Sequence, residues 1–487
     1  MVKNLLILEI LLPILVGCVN CLNRRSGLIY LITSLALSVV CCFSIYIAFY
    51  VFSYGDIHYY FGGWLPPVGI AFKITKLKSI FAILISSIAL LNFLQGKSIL
   101  FNELSDARIP GFCGVFLICV AGFLGVVSTN DFFNLYVFIE IASLTSYALV
   151  SISSNRDSFK AAFNYLVIGT IAATFILLGI GYLYSASGTL NIDDFITKMP
   201  GLVNSKLIKL GYYLLMTGLL IKSGLFPLHT WFVDSYKASS SFVLPFLGAV
   251  SSKTYILLII ILNYVVFGQD YVSNNTRINL MLIIMGAVAS LIAAISALRE
   301  KNLRNMLVFS SISQIGYIFI AIGLGNRVGV IVAVIFLISN IFAKASLFIL
   351  TSHIFLLNKS YIIEKLDHLK ERMPITVALF MINAASIIGI PVTMGFLAKM
   401  GLIVGLIQEG RFFILCLIVF SSLISLLYIW KFLEYFLYTK KGSKDIESPR
   451  FNENKVSIFV VVLLSSVNLL CGVFFEEFFV FLNNMIF

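Results

Sequence analysis

The chain has 487 residues, of which 60% are apolar and only 11% are charged, and its formal net charge is +12. Soluble globular proteins are about 45–50% apolar and about 25% charged. A soluble fold of this composition would leave a large apolar area in contact with water. The composition therefore excludes soluble enzymes, secreted disulfide-rich proteins and disordered chains, and it predicts a protein embedded in a lipid bilayer.

Fourteen stretches are long and apolar enough to cross a membrane, for which about 20 apolar residues are needed. Their centres lie near residues 13, 40, 86, 120, 141, 173, 216, 254, 287, 314, 342, 391, 423 and 469. The predicted fold class is therefore an all-α polytopic membrane protein. The longest gaps, 187–206, 357–374 and 438–455, have room for a surface helix or a hairpin at most.

The first apolar stretch is expected to be an uncleaved helix rather than a signal peptide. Its leading positive region is the single residue Lys3, and Glu9 interrupts the apolar run, whereas a signal peptide has a basic leader and a continuous apolar region. Glu9, Glu476 and Glu477 lie near predicted helix ends, and all three are expected to contact water.

Two predicted spans are interrupted by glycine and proline, the seventh at Gly224 and Pro227 and the twelfth at Gly389 and Pro391. Proline breaks a helix, and backbone groups freed at membrane depth survive only inside protein or beside water. Interrupted helices at corresponding positions indicate inverted repeats of the kind found in transporters. Each repeat is therefore expected to contain one broken helix.

The chain is accordingly divided into four parts. Residues 1–109 are predicted to form three N-terminal helices, and residues 455–487 the last helix. Between them, residues 110–268 and 277–437 are predicted to form two inverted repeats of five helices each.

Positive charge is distributed unequally between alternate loops. Of the 34 lysines and arginines, 19 fall in one set of loops, 10 fall on the other side together with both termini, and five lie within predicted helices. Cytoplasmic loops carry the excess of positive charge. The distribution predicts a multi-pass protein of a bacterial inner membrane with both termini outside the cytoplasm.

Five ionisable side chains are predicted to lie near the middle of the membrane. They are Glu140, Lys222, Lys253, Lys344 and Lys399. Glu140 follows Asp131 by nine residues, which places it about 13 Å into its span at 1.5 Å per residue. Each such charge costs at least about 2.5–3.5 kcal/mol and commonly marks an ion pathway.

A proton pathway needs groups that gain and lose protons, which a desolvated lysine can do and an arginine cannot. A neighbouring carboxylate stabilises the protonated lysine. We therefore interpret Glu140 and Lys222 as a switchable pair, and the five residues together as a proton relay. His229 and His353 titrate near neutral pH and are candidate proton ports, although a plain hydrogen-bonding role is equally compatible with the sequence.

No metal-ligand cluster, redox ligand, phosphate-binding loop or hydrolase triad emerges, so no cofactor and no metal is expected. The basic loops lack the stacking aromatic residues that nucleic-acid binding requires, so nucleic acid is not an expected partner. A transporter is expected rather than an enzyme.

Five motifs resemble those of the antiporter-like membrane subunits. They are FNLYVFIE at 133–140, KSGLFPLHTW at 222–231, SSISQIGY at 310–317, KASLF at 344–348 and GIPVTMGFLAK at 389–399. This family includes proton-pumping subunits of respiratory complex I, of membrane-bound hydrogenases and of the Mrp multisubunit cation/proton antiporters. The first motif and the lysine of the last look most like the D-type subunit of the Mrp antiporters.

The resemblance implies fourteen helices, two inverted repeats, partner subunits and a lysine relay at mid-membrane. It implies that Glu140 and Lys222 are the coupling pair and that Lys253 is the central relay residue. It also implies that Lys344 and Lys399 belong to the second half-channel. Four residues before the eleventh-helix lysine the family often has histidine, whereas this chain has Asn340.

The predicted function is proton translocation, coupled to Na⁺ or another monovalent cation through partner subunits of an antiporter complex. The alternative is a proton-pumping subunit of NADH:quinone oxidoreductase (complex I) or of a membrane-bound hydrogenase. Two other classes stay open on the sequence: an assembly subunit without ion flux, and a solute carrier of a different fold.

Overall fold

The computed structural model describes residues 2–22, 25–152, 156–366, 369–437 and 453–486. Within these ranges the chain is almost entirely helical, and its one sheet is a two-stranded antiparallel hairpin. Twelve helices are long and apolar enough to cross a membrane. The predicted fold class, an all-α polytopic membrane protein, is confirmed.

The helices and strands are numbered in chain order. They are α1 (Val2–Leu22), α2 (Ser26–Tyr54), β1 (Ile57–Tyr60), β2 (Ala71–Ile74), α3 (Lys76–Gln95), α4 (Lys97–Glu103), α5 (Ile109–Ser128), α6 (Phe132–Ser151), α7 (Arg156–Ser187), α8 (Ile192–Leu202), α9 (Lys206–Ser223), α10 (Thr230–Ala238), α11 (Val243–Ile261), α12 (Gln269–Asn275), α13 (Ile278–Arg299), α14 (Leu303–Gly323), α15 (Arg327–Asn358), α16 (Leu369–Arg372), α17 (Pro374–Ile388), α18 (Met394–Gln408), α19 (Phe412–Leu437), α20 (Lys455–Val473) and α21 (Phe475–Ile486). The hairpin pairs Ile57 with Ile74 and Tyr60 with Ala71.

The seventh and twelfth predicted spans are each divided into two helices. A glycine with positive φ follows the first helix of each pair: Gly224 (φ 74°) after α9, and Gly389 (φ 85°) after α17. Glycine adopts this left-handed conformation without the steric cost that other residues meet. Pro227 and Pro391 lie in the non-helical segments that follow. The fourteen predicted spans thus correspond to twelve continuous helices and two divided ones.

Helices α11, α14 and α15 form the centre of the bundle. In an apolar 18-residue stretch of each of these helices, 94% of the residues are buried. Helices α1, α19 and α20 lie at the periphery, where 33–39% of the corresponding residues are buried. Their outward leucine, isoleucine and phenylalanine side chains are compatible with contact to lipid, the apolar solvent of a membrane protein.

Two features recur at corresponding places in the chain. Helices α7 and α15 both contain 32 residues. In addition, a β-bridge joins Asp131, just before α6, to Asn191, after α7, and a second bridge joins Asn302, just before α14, to Ile362, after α15. These features agree with two repeats, and the boundaries 110–268 and 277–437 stay a prediction.

The expectation that Glu9 contacts water is wrong. Glu9 is fully buried between helices, and it accepts a hydrogen bond from the hydroxyl group of Ser44 on α2. Within the described residues, its second carboxylate oxygen has no hydrogen-bond partner. Helix α1 packs against both α2 and α5, which the interrupted apolar run alone could not reveal. Glu476 and Glu477 are exposed, as expected.

The predicted gap at 187–206 contains the short helix α8, in which Lys198 Nζ lies 2.9 Å from Asp194 Oδ2. Most of the gap at 438–455 falls outside the described residues.

Candidate functional site

Glu140 and Lys222 are in direct contact. Glu140 lies on α6, and Lys222 lies in the last turn of α9, next to the helix break. Lys222 Nζ is 3.3 Å from Glu140 Oε1. The lysine side chain is 2% exposed and the glutamate side chain 20% exposed. The end of α9 also favours a cation, because the negative end of the helix dipole lies there.

The same ammonium group contacts two further side chains of α6. It lies 2.7 Å from Ser143 Oγ and 3.3 Å from the Tyr147 hydroxyl. Residues 140, 143 and 147 are spaced by three and four positions, which places them on one face of a helix. The three donors of the ammonium group are thus matched by three oxygen acceptors. Sequence reasoning missed Ser143 and Tyr147, although this spacing from Glu140 could have indicated them.

Lys253 is fully buried in α11 and donates to the backbone carbonyl of Gly248 at 2.6 Å. Two residues further along α11, the hydroxyl of Tyr255 lies 3.3 Å from Ser143 Oγ. Ser143 therefore contacts both Lys222 and helix α11.

Lys344 is fully buried in α15 and donates to the Leu307 carbonyl at 3.0 Å and to the Ser310 hydroxyl. Its Nζ lies 6.0 Å from the centroid of the Phe348 ring. That ring also packs on Gly248, where an added Cβ would lie only 2.7 Å from it. Helices α11 and α15 therefore approach closely.

Lys399 lies on α18 and is 6% exposed. It donates to the carbonyl of Ile388 at 2.7 Å and to Ser422 Oγ at 3.1 Å, and its Nζ lies 5.1 Å from the centroid of the Tyr317 ring. The last carbonyl groups of a helix have no partner within the helix. Lys399 therefore satisfies a carbonyl group that the break after α17 leaves free.

The first break is satisfied in a comparable way. The indole nitrogen of Trp231 on α10 donates to the carbonyl of Ile221, near the end of α9, at 3.1 Å. The neutral side chain of Trp231 thus donates to a carbonyl group at the first break, as the side chain of Lys399 does at the second.

The two histidines have different surroundings. His353 is 2% exposed; its Nδ1 lies 3.4 Å from Thr376 Oγ1, and its Nε2 accepts from the backbone N–H of Asn454 at 3.1 Å. His229 is half-buried before α10, its ring centroid is 5.1 Å from that of Phe226, and among the described residues its Nδ1 has no hydrogen-bond partner. Of these two histidines, His353 alone has a hydrogen-bonding partner at each ring nitrogen among the described residues.

A cavity of about 770 Å³ opens at one end of the bundle, among the loops that carry the excess of positive charge. Three acidic and three basic side chains are among those that line it: Glu103, Asp157, Asp234, Lys160, Lys237 and Arg304. None of the five predicted relay residues lines this cavity. Sequence reasoning missed it because its charged residues come from separate loops and form no motif.

These contacts divide the predicted residues into a charged pair and three lysines with neutral partners. Across the described ranges, no carboxylate lies within 4.0 Å of Lys253, Lys344 or Lys399. Oxygen atoms of serine side chains and of the backbone take that place. Such an arrangement can bind an ammonium group without fixing it in the charged state, since it contains no permanent countercharge.

The fold and these contacts define a class: a polytopic membrane protein with four buried lysines inside its helix bundle, one of them paired with a carboxylate. The chain belongs to the family described as NADH:quinone oxidoreductase/Mrp antiporter, TM, whose model matches residues 129–425. The resemblance found in the sequence is thereby confirmed.

Named relatives fall in both branches of this family. NADH-quinone oxidoreductase subunit N of Desulforudis audaxviator is 34% identical over 383 residues, 77% of this chain and 74% of the relative. The D-type subunit of the Na(+)/H(+) antiporter of Bacillus subtilis is 27% identical over 474 residues, 96% of this chain and 94% of the relative.

A similar solved structure is a chain of the membrane-bound sulfane sulfur reductase, an archaeal respiratory membrane complex. It has a TM-score of 0.88 and 27% identity, and the match covers 99% of this chain and 96% of that chain. The whole fold, including the helices outside the family model, is therefore shared with a respiratory membrane subunit.

Proposed function

We propose that this chain moves protons across a bacterial inner membrane as one subunit of a multisubunit antiporter for Na⁺ or another monovalent cation. The observation that carries the proposal is the contact of Lys222 with Glu140 beside a broken helix. The similarity to the D-type subunit of an Na(+)/H(+) antiporter over 96% of the chain supports it. The proposed orientation has both termini outside the cytoplasm, as the loop charges indicate.

In the proposed mechanism, Glu140 controls the proton affinity of Lys222. While the carboxylate is 3.3 Å away, it stabilises the ammonium form, because an opposite charge favours the charged state. When the two groups separate, the buried lysine loses that stabilisation and releases its proton toward Lys253. The break after α9 supplies a place where such a movement can occur without distorting a continuous helix.

The serine partners suit a proton relay. A hydroxyl group is both a donor and an acceptor, so the oxygens beside Lys222, Lys344 and Lys399 can accept from an ammonium group and then donate to a neutral amine. Carboxylates in the same places would favour the charged form only. The proposed order of transfer is Lys222, Lys253, Lys344 and Lys399, with His353 or His229 as a port.

The second candidate is a proton-pumping subunit of an NADH:quinone oxidoreductase or hydrogenase complex. The observation that favours it is the 34% identity to an NADH-quinone oxidoreductase subunit N. The relay would be the same, and redox chemistry in other chains would drive it. The Na⁺ dependence of proton movement separates the two candidates.

The test uses membrane vesicles that contain the chain together with its partner subunits. Proton movement is followed with a ΔpH-sensitive dye after addition of Na⁺ and, separately, of NADH and quinone. Lys222→Ala is expected to reduce proton movement at least tenfold. Lys209→Ala is the matched control, because Lys209 lies exposed on the same helix α9.

Na⁺-driven proton movement that Lys222→Ala abolishes and Lys209→Ala preserves supports the antiporter proposal. Proton movement that responds to NADH and quinone alone supports the second candidate. Unchanged movement in Lys222→Ala would contradict both, provided that immunoblotting shows the variant assembled in the complex.

A further inference from the structure

The large cavity at one end of the bundle has a buried arginine in its wall. Arg304, on α14, is 7% exposed. Its Nη2 donates to the carbonyl of Tyr236 at 2.9 Å, to that of Ser239, and to Ser239 Oγ at 3.1 Å. Among the described residues its Nε has no hydrogen-bond partner, and no carboxylate lies within 4.0 Å of the side chain. Buried charges in proteins are normally paired, so this guanidinium group is placed to receive an anion from outside the chain.

A second cation of the wall is also available to an anion. Lys160, on α7, is exposed at the cavity and, within the part of the chain that the structure describes, has no carboxylate within 4.0 Å. Lys237 differs, because its Nζ lies 2.8 Å from Glu300 Oε1 and is therefore already paired. The cavity thus offers the charges of Arg304 and Lys160 to a ligand.

The same wall contains carboxylates that can receive a cation. Asp157 and Asp234 are exposed at the cavity, and no basic side chain of the described ranges lies within 4.0 Å of either. Glu103 accepts from the backbone N–H of Ser241 at 3.2 Å through Oε1, whereas its buried Oε2 has no partner among the described residues. A ligand that carries both an anionic and a cationic group therefore matches this wall better than a simple ion does.

The size of the cavity also indicates an organic ligand. Its volume is about 770 Å³, within the roughly 300–1,000 Å³ that is usual for small-molecule sites.

Helix α7 connects the cavity to the apolar surface of the bundle. Lys160 and Asn164 line the cavity, and Phe163, Val167 and Ile171 are exposed on the same helix. Residues three or four apart are neighbours on one helix face, so this apolar strip begins beside the cavity and continues along a candidate membrane span. A ligand with a charged head and an apolar tail would find a surface for each part.

We propose that the large cavity binds the headgroup of phosphatidylethanolamine, a phospholipid that joins a phosphate to a primary ammonium group. Arg304 and Lys160 contact the phosphate, since a guanidinium group forms strong charge-assisted hydrogen bonds with phosphate oxygens. Asp157 and Asp234 contact the ammonium group, and the acyl chains lie on the apolar strip of α7. The site does not depend on the proton translocation proposed above; only its assignment to the cytoplasmic leaflet rests on the proposed orientation.

The two charges of the headgroup explain why this lipid is preferred over its relatives. The trimethylammonium group of phosphatidylcholine has no N–H with which to donate to the carboxylates. Phosphatidylglycerol has no cationic group, so its binding leaves the carboxylates without a countercharge.

The proposal is tested by native mass spectrometry of the assembled complex in detergent. The complex is titrated with phosphatidylethanolamine, phosphatidylcholine and phosphatidylglycerol that carry identical acyl chains. We expect phosphatidylethanolamine to bind about tenfold more tightly than either of the others, which corresponds to about 1.4 kcal/mol. Equal affinities for the three lipids would overturn the proposal.

Two variants with changes at exposed positions assign the preference to the cavity. Lys160→Ala is expected to weaken phosphatidylethanolamine binding several-fold, because it removes a partner of the phosphate. The double variant Asp157→Asn with Asp234→Asn is expected to abolish the preference for phosphatidylethanolamine over phosphatidylglycerol. Arg299→Gln and Glu364→Gln are the matched controls, because both residues are exposed at the same end of the bundle and do not line the cavity.

Arg304→Gln is expected to weaken binding of phosphatidylethanolamine about tenfold or more. This variant also loses hydrogen bonds to the end of α10, so the two exposed variants keep the test decisive if it does not assemble. Unchanged lipid affinity and preference in the Lys160 variant and in the double variant, or an equal loss in the controls, would overturn the proposal.

Competition distinguishes a lipid from a soluble ligand with the same headgroup chemistry. Glycerophosphoethanolamine and inorganic phosphate are added to the complex that holds the lipid. Retention of the lipid at equal concentrations of either compound supports the lipid site, since the acyl chains contribute to its binding. Displacement by either compound would identify a soluble ligand and overturn the assignment to a lipid.

Cryo-electron microscopy of the assembled complex in nanodiscs that contain phosphatidylethanolamine shows which molecule occupies the cavity. Headgroup density beside Arg304 and Lys160 supports the proposal, whereas a side chain of a partner subunit in the cavity would overturn it. Neither measurement uses proton movement, so a failure of the lipid site leaves the antiporter proposal intact. A failure of Lys222→Ala to affect proton movement likewise leaves the lipid site standing.

Discussion

Lys399 packs directly against Gly389: a Cβ atom added to the glycine would lie 2.8 Å from Cδ of the lysine. Gly389 has a φ of 85°, in the left-handed region. The glycine therefore serves two purposes at the second helix break. It allows the chain to turn after α17, and it leaves space for the lysine stem to reach the Ile388 carbonyl.

Gly389→Ala is expected to reduce proton movement at least tenfold. The left-handed conformation costs a residue with a Cβ roughly 1–2 kcal/mol, and the methyl group also displaces Lys399. Gly410→Ala is the control, because Gly410 has a φ of 68° and open space around it. A similar loss of proton movement in both variants would show that backbone strain, and not the lysine contact, is responsible.

Glu140→Gln and Lys222→Ala are expected to be non-additive. If the two groups act as a pair, the double variant should move protons no more slowly than the slower single variant, since each change removes the same interaction. The initial rates of the four proteins, measured in one vesicle assay, give the comparison. Losses that multiply in the double variant would show that the two residues act independently.

Ser143→Ala is expected to slow proton movement several-fold, because Ser143 contacts both Lys222 and Tyr255. Thr145→Ala provides a control on the same helix, since the Thr145 hydroxyl donates to the backbone carbonyls of Ile141 and Ala142. Equal rates for Ser143→Ala and the wild type would exclude this hydroxyl from the relay.

Ser44→Ala is expected to lower the free energy of unfolding by about 1–3 kcal/mol, because it removes the donor to the buried carboxyl group of Glu9 and leaves that group unsatisfied. Glu9→Gln keeps an oxygen that can accept from Ser44 and is expected to change stability little. Thermal unfolding in detergent measures both. Because Glu9 lies outside the row of lysines, Glu9→Gln is also expected to leave proton movement unchanged.

The charge pair of α8 gives a pH-dependent prediction outside the membrane spans. Hydrogen bonds from Lys198 and Thr189 lower the pKa of Asp194 below its ordinary value. Because the pKa of Asp194 is lower in the folded protein than in the unfolded chain, the charged carboxylate stabilises the folded state at any pH above the unfolded-state pKa. This stabilisation is lost as the pH falls through the folded-state pKa. Lys198→Ala is therefore expected to speed hydrogen exchange in α8 slightly at pH 7 and not at a pH below both values. A difference that persists in acid would contradict the charge interaction.

The broad fold and the helix breaks could be predicted because their causes are local. An apolar run of about 20 residues predicts a span wherever it occurs, and the sequences around Pro227 and Pro391 interrupt such runs visibly. The five ionisable residues were recognisable for the same reason, since a charge within an apolar run is conspicuous.

The partners of Lys344 and Lys399 could not be predicted, because they come from other helices. Ser310, the partner of Lys344, lies on the preceding helix α14. Ser422, the partner of Lys399, lies on the following helix α19. The burial of Glu9 likewise depends on α2 and α5, which no local pattern identifies. Contacts of this kind follow from tertiary packing, in which the shapes of whole helix faces decide which side chains meet.

Of the five ionisable residues inside the bundle, Glu140 has the most exposed side chain. The four lysines are at most 6% exposed, whereas the Glu140 side chain is 20% exposed. A charge acts on an ion pair more strongly the closer it lies. A neighbouring protein laid over this part of α6 would therefore change the attraction between Glu140 and Lys222 through the charges it brings, and its arrival or departure would alter the pair without touching a single lysine.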